Sequence, residues 1–311
     1  AADLCQSLTV AVTGTMYGYD PATATSAPTP AVSPGTFAPT APTITGVPKL
    51  GSIMGIRTNS TTWPAGTGLG WQWYRSGVPI EGATSSSYTA KVADVGHQLT
   101  ISATGKKAGY TTLTVVSAPV TIAPGTVPDP VLTVTGSARV GMSLLGRLSE
   151  QTGWQYNGTK TWQWYRSGLP VPGTNHPYYD ITAADLGKSI MGRVTRTQPG
   201  YATIVKETPH YVVTAGILSG PTPLINGTRK VGYLLTAVPG TWTAGTTLRY
   251  QWYRSGVAII GATASKYTLA AADRGNIMRL RVAGLKAGYT TLAKDSATTA
   301  AVAAGTLAAG T

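Results

Sequence analysis

Apolar side chains alternate along this chain in short bursts. Met278, Leu280 and Val282 take every second position, and the rhythm recurs as Leu8, Val10, Val12, as Leu99, Ile101, Ala103, and as Ile190, Gly192, Val194. The positions between them hold largely Thr, Ser or Arg. A period of two sends alternate side chains to opposite faces of a strand, so each burst predicts a strand with one face on a core. No window sustains a 3.6-residue period. Gly or Pro breaks the chain about every 8–12 residues, which favours many short strands over helices. Over the last third, strands are expected near 222–226, 231–238, 247–254, 257–260, 265–269, 276–283 and 289–302, separated by turn-forming stretches such as Arg254-Ser-Gly256 and Ala271-Ala-Asp-Arg-Gly275. Seven short strands in roughly 90 residues is the pattern of an antiparallel sandwich.

These strands belong to a repeat. The sequence Trp-Tyr-Arg-Ser-Gly begins at Trp73, Trp164 and Trp252, giving spacings of 91 and 88 residues, which are domain-sized rather than solenoid-sized. Trp63, Trp154 and Trp242 each lie ten residues ahead of it. Tyr88, Tyr179 and Tyr267 lie six residues before Asp94, Asp185 and Asp273, each the first residue of Asp-x-Gly, and a Gly-Tyr pair follows at 109–110, 200–201 and 288–289. Residues 1–37 match only the second half of this pattern. Asp3 stands for the Asp, Cys5 for the Gly, and Gly18-Tyr19 for the pair. The expected organisation is therefore a second half with its linker at 1–37, complete repeats at 38–123, 124–214 and 215–307, and a tail at 308–311. First-half signatures number three and second-half signatures four, so strands from an upstream segment or from other copies are expected to complete residues 1–37.

Trp71 and Trp73 share one face of their strand, and Gln72 and Tyr74 the other. Trp73, Trp164 and Trp252 are expected in the core, which leaves Tyr74, Tyr165 and Tyr253 as an outward aromatic row. Arg75, Arg166 and Arg254 are candidate anion contacts, although an Arg beside a turn more often packs its stem on the sheet. Asp3, Asp94, Asp185 and Asp273 read as turn residues whose carboxylates accept backbone N–H bonds, with the following Gly permitting positive φ. Cys5 at that Gly position is a departure, which implies either a strained turn or a turn not under the same demands as the others.

Composition narrows the functional classes. Charged residues make up only 11% of the 311, and the excess of basic over acidic residues gives +13, which favours anionic partners such as cell-wall phosphate polymers or acidic glycans. Lys and Arg form no block, so specific nucleic-acid binding is not expected. No apolar run reaches the ~18 residues of a membrane span. The single cysteine, Cys5, excludes an intrachain disulfide. His97, His176 and His210 fall at inequivalent positions, no acidic position except the turn Asp recurs, and no metal, nucleophile-elbow or phosphate-loop motif is present. Catalysis, metals and cofactors are not expected.

The order Trp-Tyr-Arg-x-Gly, then Tyr, then Asp-x-Gly resembles the tandem immunoglobulin-like repeats of secreted and surface proteins of actinobacteria, over nearly the whole chain. It is also similar to animal immunoglobulin domains, with both bridging cysteines missing. The resemblance implies tandem immunoglobulin-like β-sandwiches of about seven strands without disulfides, and an extracellular, cell-surface or virion location. Three roles follow from it: a structural or adhesive array acting as spacer, a carbohydrate-binding array of a larger secreted enzyme, or a filament or phage-surface subunit assembled by strand complementation.

Overall fold

A computed structural model describes residues 2–58, 62–149 and 158–306. Trp154, Leu307 and the tail at 308–311 lie outside the described residues. By contact density the chain divides in two. One unit takes in the chain to Pro128 and the Thr197–Thr203 loop, and the other takes in Lys160–Arg196 and the chain from Ile204 onward.

The protein is all-β, a tandem array of immunoglobulin-like sandwiches. In the third repeat one sheet has the order Leu224–Asn226, Leu234–Val238, Lys266–Thr268. The facing sheet has the order Val257–Ala258, Thr247–Arg254, Met278–Leu285, Leu292–Asp295. The first and second repeats have the same order, with a fifth strand added to the facing sheet, Val120–Thr121 on Gln98–Lys106 and Tyr211–Val212 on Ser189–Thr197. Thr247–Arg254 runs antiparallel to Met278–Leu285, with Trp252 opposite Leu280 and Arg254 opposite Met278. Both strands therefore send their apolar alternates to one side, and Trp252, Met278, Leu280 and Val282 are fully buried with Leu235 and Leu269. Trp73 with Leu99 and Ile101, and Trp164 with Ile190 and Leu144, form the equivalent cores.

The hairpin after each Trp strand is set by its two loop residues. Ser255 and Gly256 have φ of 41° and 88°, and Ser76-Gly77 and Ser167-Gly168 match them. Positive φ at both loop positions matches the right-handed twist of the flanking strands, and Gly adopts it without strain.

The closing strand differs from expectation. Residues 289–302 form Tyr289–Thr290 and Leu292–Asp295, followed by an isolated bridge of Val302 to Arg274, rather than one strand. Its ladder is interrupted because a side chain takes over a backbone role: the Leu280 N–H donates to Ser296 Oγ at 3.0 Å and the Met278 N–H to Thr299 Oγ1 at 3.0 Å. The Ser296 hydroxyl in turn donates to the Ala297 carbonyl. Ser117 and Thr208 make the same brace in the first and second repeats.

Linkers are docked onto the repeat that follows them. Gly35 and Gly125 bridge in parallel to Tyr110 and Tyr201, and Gly216–Ile217 pairs in parallel with Tyr289–Thr290. The Gly216 N–H donates to the Gly288 carbonyl at 2.9 Å, and the Gly35 and Gly125 N–H groups donate to the Gly109 and Gly200 carbonyls at 2.8 and 2.9 Å. A Cβ on Gly216 would sit 2.5 Å from the Tyr289 ring, so this close approach requires Gly. Phe37, just past the first linker, is buried between Trp63 and Tyr110, with ring centroids 5.1 Å from each.

Residues 2–32 form half of such a sandwich. Ala11–Gly14 pairs antiparallel with Ala22–Thr25 as a separate two-stranded sheet. Leu8, Val10 and Val12, expected on a core-facing strand, are exposed at 44%, 65% and 66%, whereas their counterparts Met278, Leu280 and Val282 are at 0%. The alternation is present, but the described residues place nothing over that face.

Candidate functional site

The most elaborate polar cluster in each repeat is built around the repeated Asp. A single turn of 3-10 helix, Ala271–Asp273, brings the Asp273 side chain back beneath the sheet, where it is fully buried. Its Oδ2 accepts the Ala270 N–H at 2.7 Å and the Tyr267 hydroxyl at 3.0 Å, while its Oδ1 accepts Arg254 Nε at 2.6 Å. Tyr267 lies against Trp252 with centroids 5.8 Å apart. Asp94 is held by Arg75, Tyr88 and the Lys91 N–H, and Asp185 by Arg166, Tyr179 and Thr182. A buried carboxylate is costly unless paired and hydrogen-bonded, and here it is both.

Titration of these groups follows from that geometry. Burial pushes the Asp185 carboxyl up, but bonds from the Thr182 N–H, the Tyr179 and Thr182 hydroxyls and Arg166 outweigh it, so the group lies below the ordinary carboxylate value. Burial, and then the bond to the carboxylate, raises the phenols of Tyr88, Tyr179 and Tyr267. The Asp bonds raise the guanidinium values of Arg75, Arg166 and Arg254, which are held in the charged form.

Each residue of the heptapeptide thus has a defined place. Trp73, Trp164 and Trp252 are at 0% exposure, and their indole N–H groups donate to the Ser85, His176 and Ala264 carbonyls. Gln72, Gln163 and Gln251 donate from Nε2 to two carbonyls each, one of the neighbouring Trp and one across the hairpin at Ile80, Val171 and Ile259. Strand alternation places Gln72 on the outer face and gives no sign of these bonds, for which the recurrence of Gln in all three copies is the signal. Arg75, Arg166 and Arg254 are bonded inward to the Asp. Cys5 has φ of 62° where Gly96, Gly187 and Gly275 have 80°, 72° and 74°, so a residue with a Cβ takes the same left-handed conformation at that turn.

Tyr74, Tyr165 and Tyr253 remain half-buried on the outward sheet face, in settings that differ from one repeat to the next. Tyr74 lines a shallow cleft of about 540 Å³ with Gln72, Ser102, Thr104 and Lys106. The Tyr165 hydroxyl accepts from Arg193 at 3.2 Å, and Arg193 is ion-paired to Glu207. The Tyr253 ring lies under Arg279 at 4.5 Å and Arg281 at 5.6 Å, both paired to Asp295. The three copies share a core but not an outer surface. No group of three or more His, Cys, Asp or Glu side chains able to hold a metal occurs among the described residues, and no described helix is long and apolar enough to cross a membrane.

No family model and no curated protein matches the chain. Solved structures do. A Ca2+-stabilized adhesin with which an Antarctic bacterium binds ice is 12% identical, with 96% of this chain and 81% of that one covered and a TM-score of 0.35. The D1–D4 ectodomain fragment of ICAM-5 is 14% identical, with 96% and 83% covered and a TM-score of 0.33. Three N-terminal domains of the bacteriophage RB49 outer capsid protein Hoc are 12% identical, with 86% and 99% covered and a TM-score of 0.27.

Proposed function

We propose that this protein is a non-catalytic structural or adhesive array in an extracellular or cell-surface assembly, where its sandwiches act as spacers and contact modules. One observation carries this reading. The recurring Trp, Gln, Arg, Asp and Tyr side chains are bonded within their own repeats, so what is repeated is a brace for the sandwich and not a reaction centre. Docked linkers fit the same role, because a spacer transmits position only if successive modules engage. Pulling the chain from its ends in a single-molecule force experiment tests the reading. The expected trace has discrete events that release whole repeats, about 90 residues or on the order of 30 nm of contour at ~3.4 Å per residue for one repeat and about twice that where two coupled repeats open together. Smooth lengthening at low force would contradict a spacer role.

A second reading, contact with a glycan or anionic polymer through the outward face, is favoured by the Tyr253 ring lying beneath two arginines. Titration with an anionic cell-wall polymer separates the two readings. Saturable binding lost in Tyr253→Ala supports it, and absence of binding by the unaltered protein removes it.

A further inference from the structure

Residues 2–32 reproduce the second half of a finished repeat bond for bond. Ser26 exchanges two bonds with Val10, through the Val10 N–H to Ser26 Oγ at 3.1 Å and the Ser26 N–H to the Val10 carbonyl at 2.9 Å. Ser296 and Leu280 are joined in the same way at 3.0 and 2.8 Å. The Leu8 N–H donates to Thr29 Oγ1 at 3.1 Å as Met278 does to Thr299, and Cys5 N–H donates to the Val32 carbonyl as Gly275 does to Val302. The backbone is therefore already in its finished conformation. Among the described residues it lacks three things that every complete repeat has.

The first is a neighbouring strand. Met278–Leu285 is flanked on one side by Thr247–Arg254, whereas the described strand Ala11–Gly14 pairs only with Ala22–Thr25. The second is a cover for its apolar face, since Leu8, Val10 and Val12 are exposed where their counterparts are buried against Trp252. The third is a set of partners for two end groups. Asp3 is exposed, while Asp273 is buried by Arg254 and Tyr267. Tyr19 is 72% exposed, while Tyr110, Tyr201 and Tyr289 each receive a linker glycine.

We infer that this surface is the receptor for the first half of a repeat of the chain's own type, entering in line ahead of residue 2. This extends the array reading and rests on it. The known register assigns the contacts. An antiparallel Trp-x-Trp-Tyr-Arg strand lies along residues 8–14, with the second Trp opposite Val10 as Trp252 is opposite Leu280, and its Arg reaches Asp3. A Tyr six residues before Asp3 completes that carboxylate. A linker glycine donates its N–H to the Gly18 carbonyl beneath the Tyr19 ring. An exposed strand edge together with an apolar face is a template for pairing. In-line entry is favoured over a second copy because each first half in this chain already holds its own second half, so a second copy has none to give without opening a finished repeat.

The test joins a copy of residues 214–270 directly ahead of Ala1, which places the copied Tyr267 six residues before Asp3. Amide hydrogen exchange is then read at residues 8–14 of the full chain with and without the addition. The expected result is slowing on the order of 100-fold on addition, with the mass of a single extended chain by light scattering. It should be lost with Trp252→Ala or Arg254→Ala in the copied segment and retained with Tyr253→Ala there. A second fusion carrying residues 33–91 in place of 214–270 guards against misfolding of one graft. Failure of both to protect residues 8–14 overturns the inference, as does concentration-dependent protection in the unextended chain, which would assign the face to a second copy. The array reading fails separately, by the pulling trace of the complete repeats.

Discussion

Arg254 donates from Nε to a carboxylate that has no contact with water, and the Asp273 side chain is at 0% exposure against 31% for its partner. This asymmetry sets what mutations do. Arg254→Ala leaves a buried carboxylate short of its counter-charge, and a loss of about 3 kcal/mol is expected for the third repeat, near the lower end for broken buried pairs because two further donors remain. Tyr267→Phe keeps the ring on Trp252 but removes one bond to a charged acceptor, for an expected loss of about 1.5–2 kcal/mol. Urea unfolding followed by Trp fluorescence measures both, and equal, near-zero effects would contradict the brace. The same cluster fixes the acid response of the second repeat. The folded value of Asp185 is depressed, so its contribution is present above the unfolded carboxylate value near ~3.9 and is lost as pH falls through the lower folded value. Stability from this group should be flat from pH 7 to about 5 and fall only below about 4, and Asp185→Asn should flatten that acid limb. Loss of the group's contribution already between pH 7 and 5 would contradict the depressed value.

At the scale of the strand, the central positions are decided by how closely an indole lies on a backbone. A Cβ added to Gly284 would sit 2.6 Å from the Trp242 ring and 2.9 Å from the Thr246 methyl, and Gly105 lies under Trp63 in the same manner. Gly284→Ala is expected to cost about 1–3 kcal/mol by overpacking, with a changed Trp242 emission in the folded state. Gly14→Ala, whose nearest atom is a carbonyl oxygen at 4.0 Å, serves as the permissive control. Much of this scale was legible in the sequence. Alternation located the strands and faces, the recurrence of Trp252, Tyr267 and Asp273 at fixed spacing marked the repeat without showing that the three side chains meet, and the Arg-Ser-Gly stretch marked the turn. Two features were not. The break in the closing strand depends on Ser296 and Thr299 hydroxyls replacing backbone acceptors, which no apolar period records, although a Ser or Thr eight residues past each Gly of Gly-Tyr, at 26, 117, 208 and 296, is visible once counted. The inward destination of Arg254 depends on a turn that brings back an Asp 19 residues away. Local propensity carries no information at that range.

For the molecule as a whole, what matters is whether successive repeats unfold together. Within the second unit, Gly216 lies between the Tyr289 ring and the Val140 carbonyl, and Gly288 meets Ala183 and Val140. Val140 belongs to the core around Trp164, and Tyr289 packs against that same core while belonging by sequence to the third repeat. A residue shared in this way couples two sandwiches, since melting either core removes packing from the other. An alanine at 216 would place its Cβ 2.5 Å from the ring and 2.7 Å from the carbonyl, and the chain must open the junction to admit it. Neither core contains residue 216, so intrinsic stabilities should change little while coupling is lost. Scanning calorimetry distinguishes these effects. Gly216→Ala is expected to split or broaden the transition shared by the second and third repeats, lowering the ratio of van't Hoff to calorimetric enthalpy, with midpoints of the separated steps close to the original. A uniform downward shift of an unbroken transition would instead place residue 216 in the stability of one sandwich, and the junction would then be a tether without coupling.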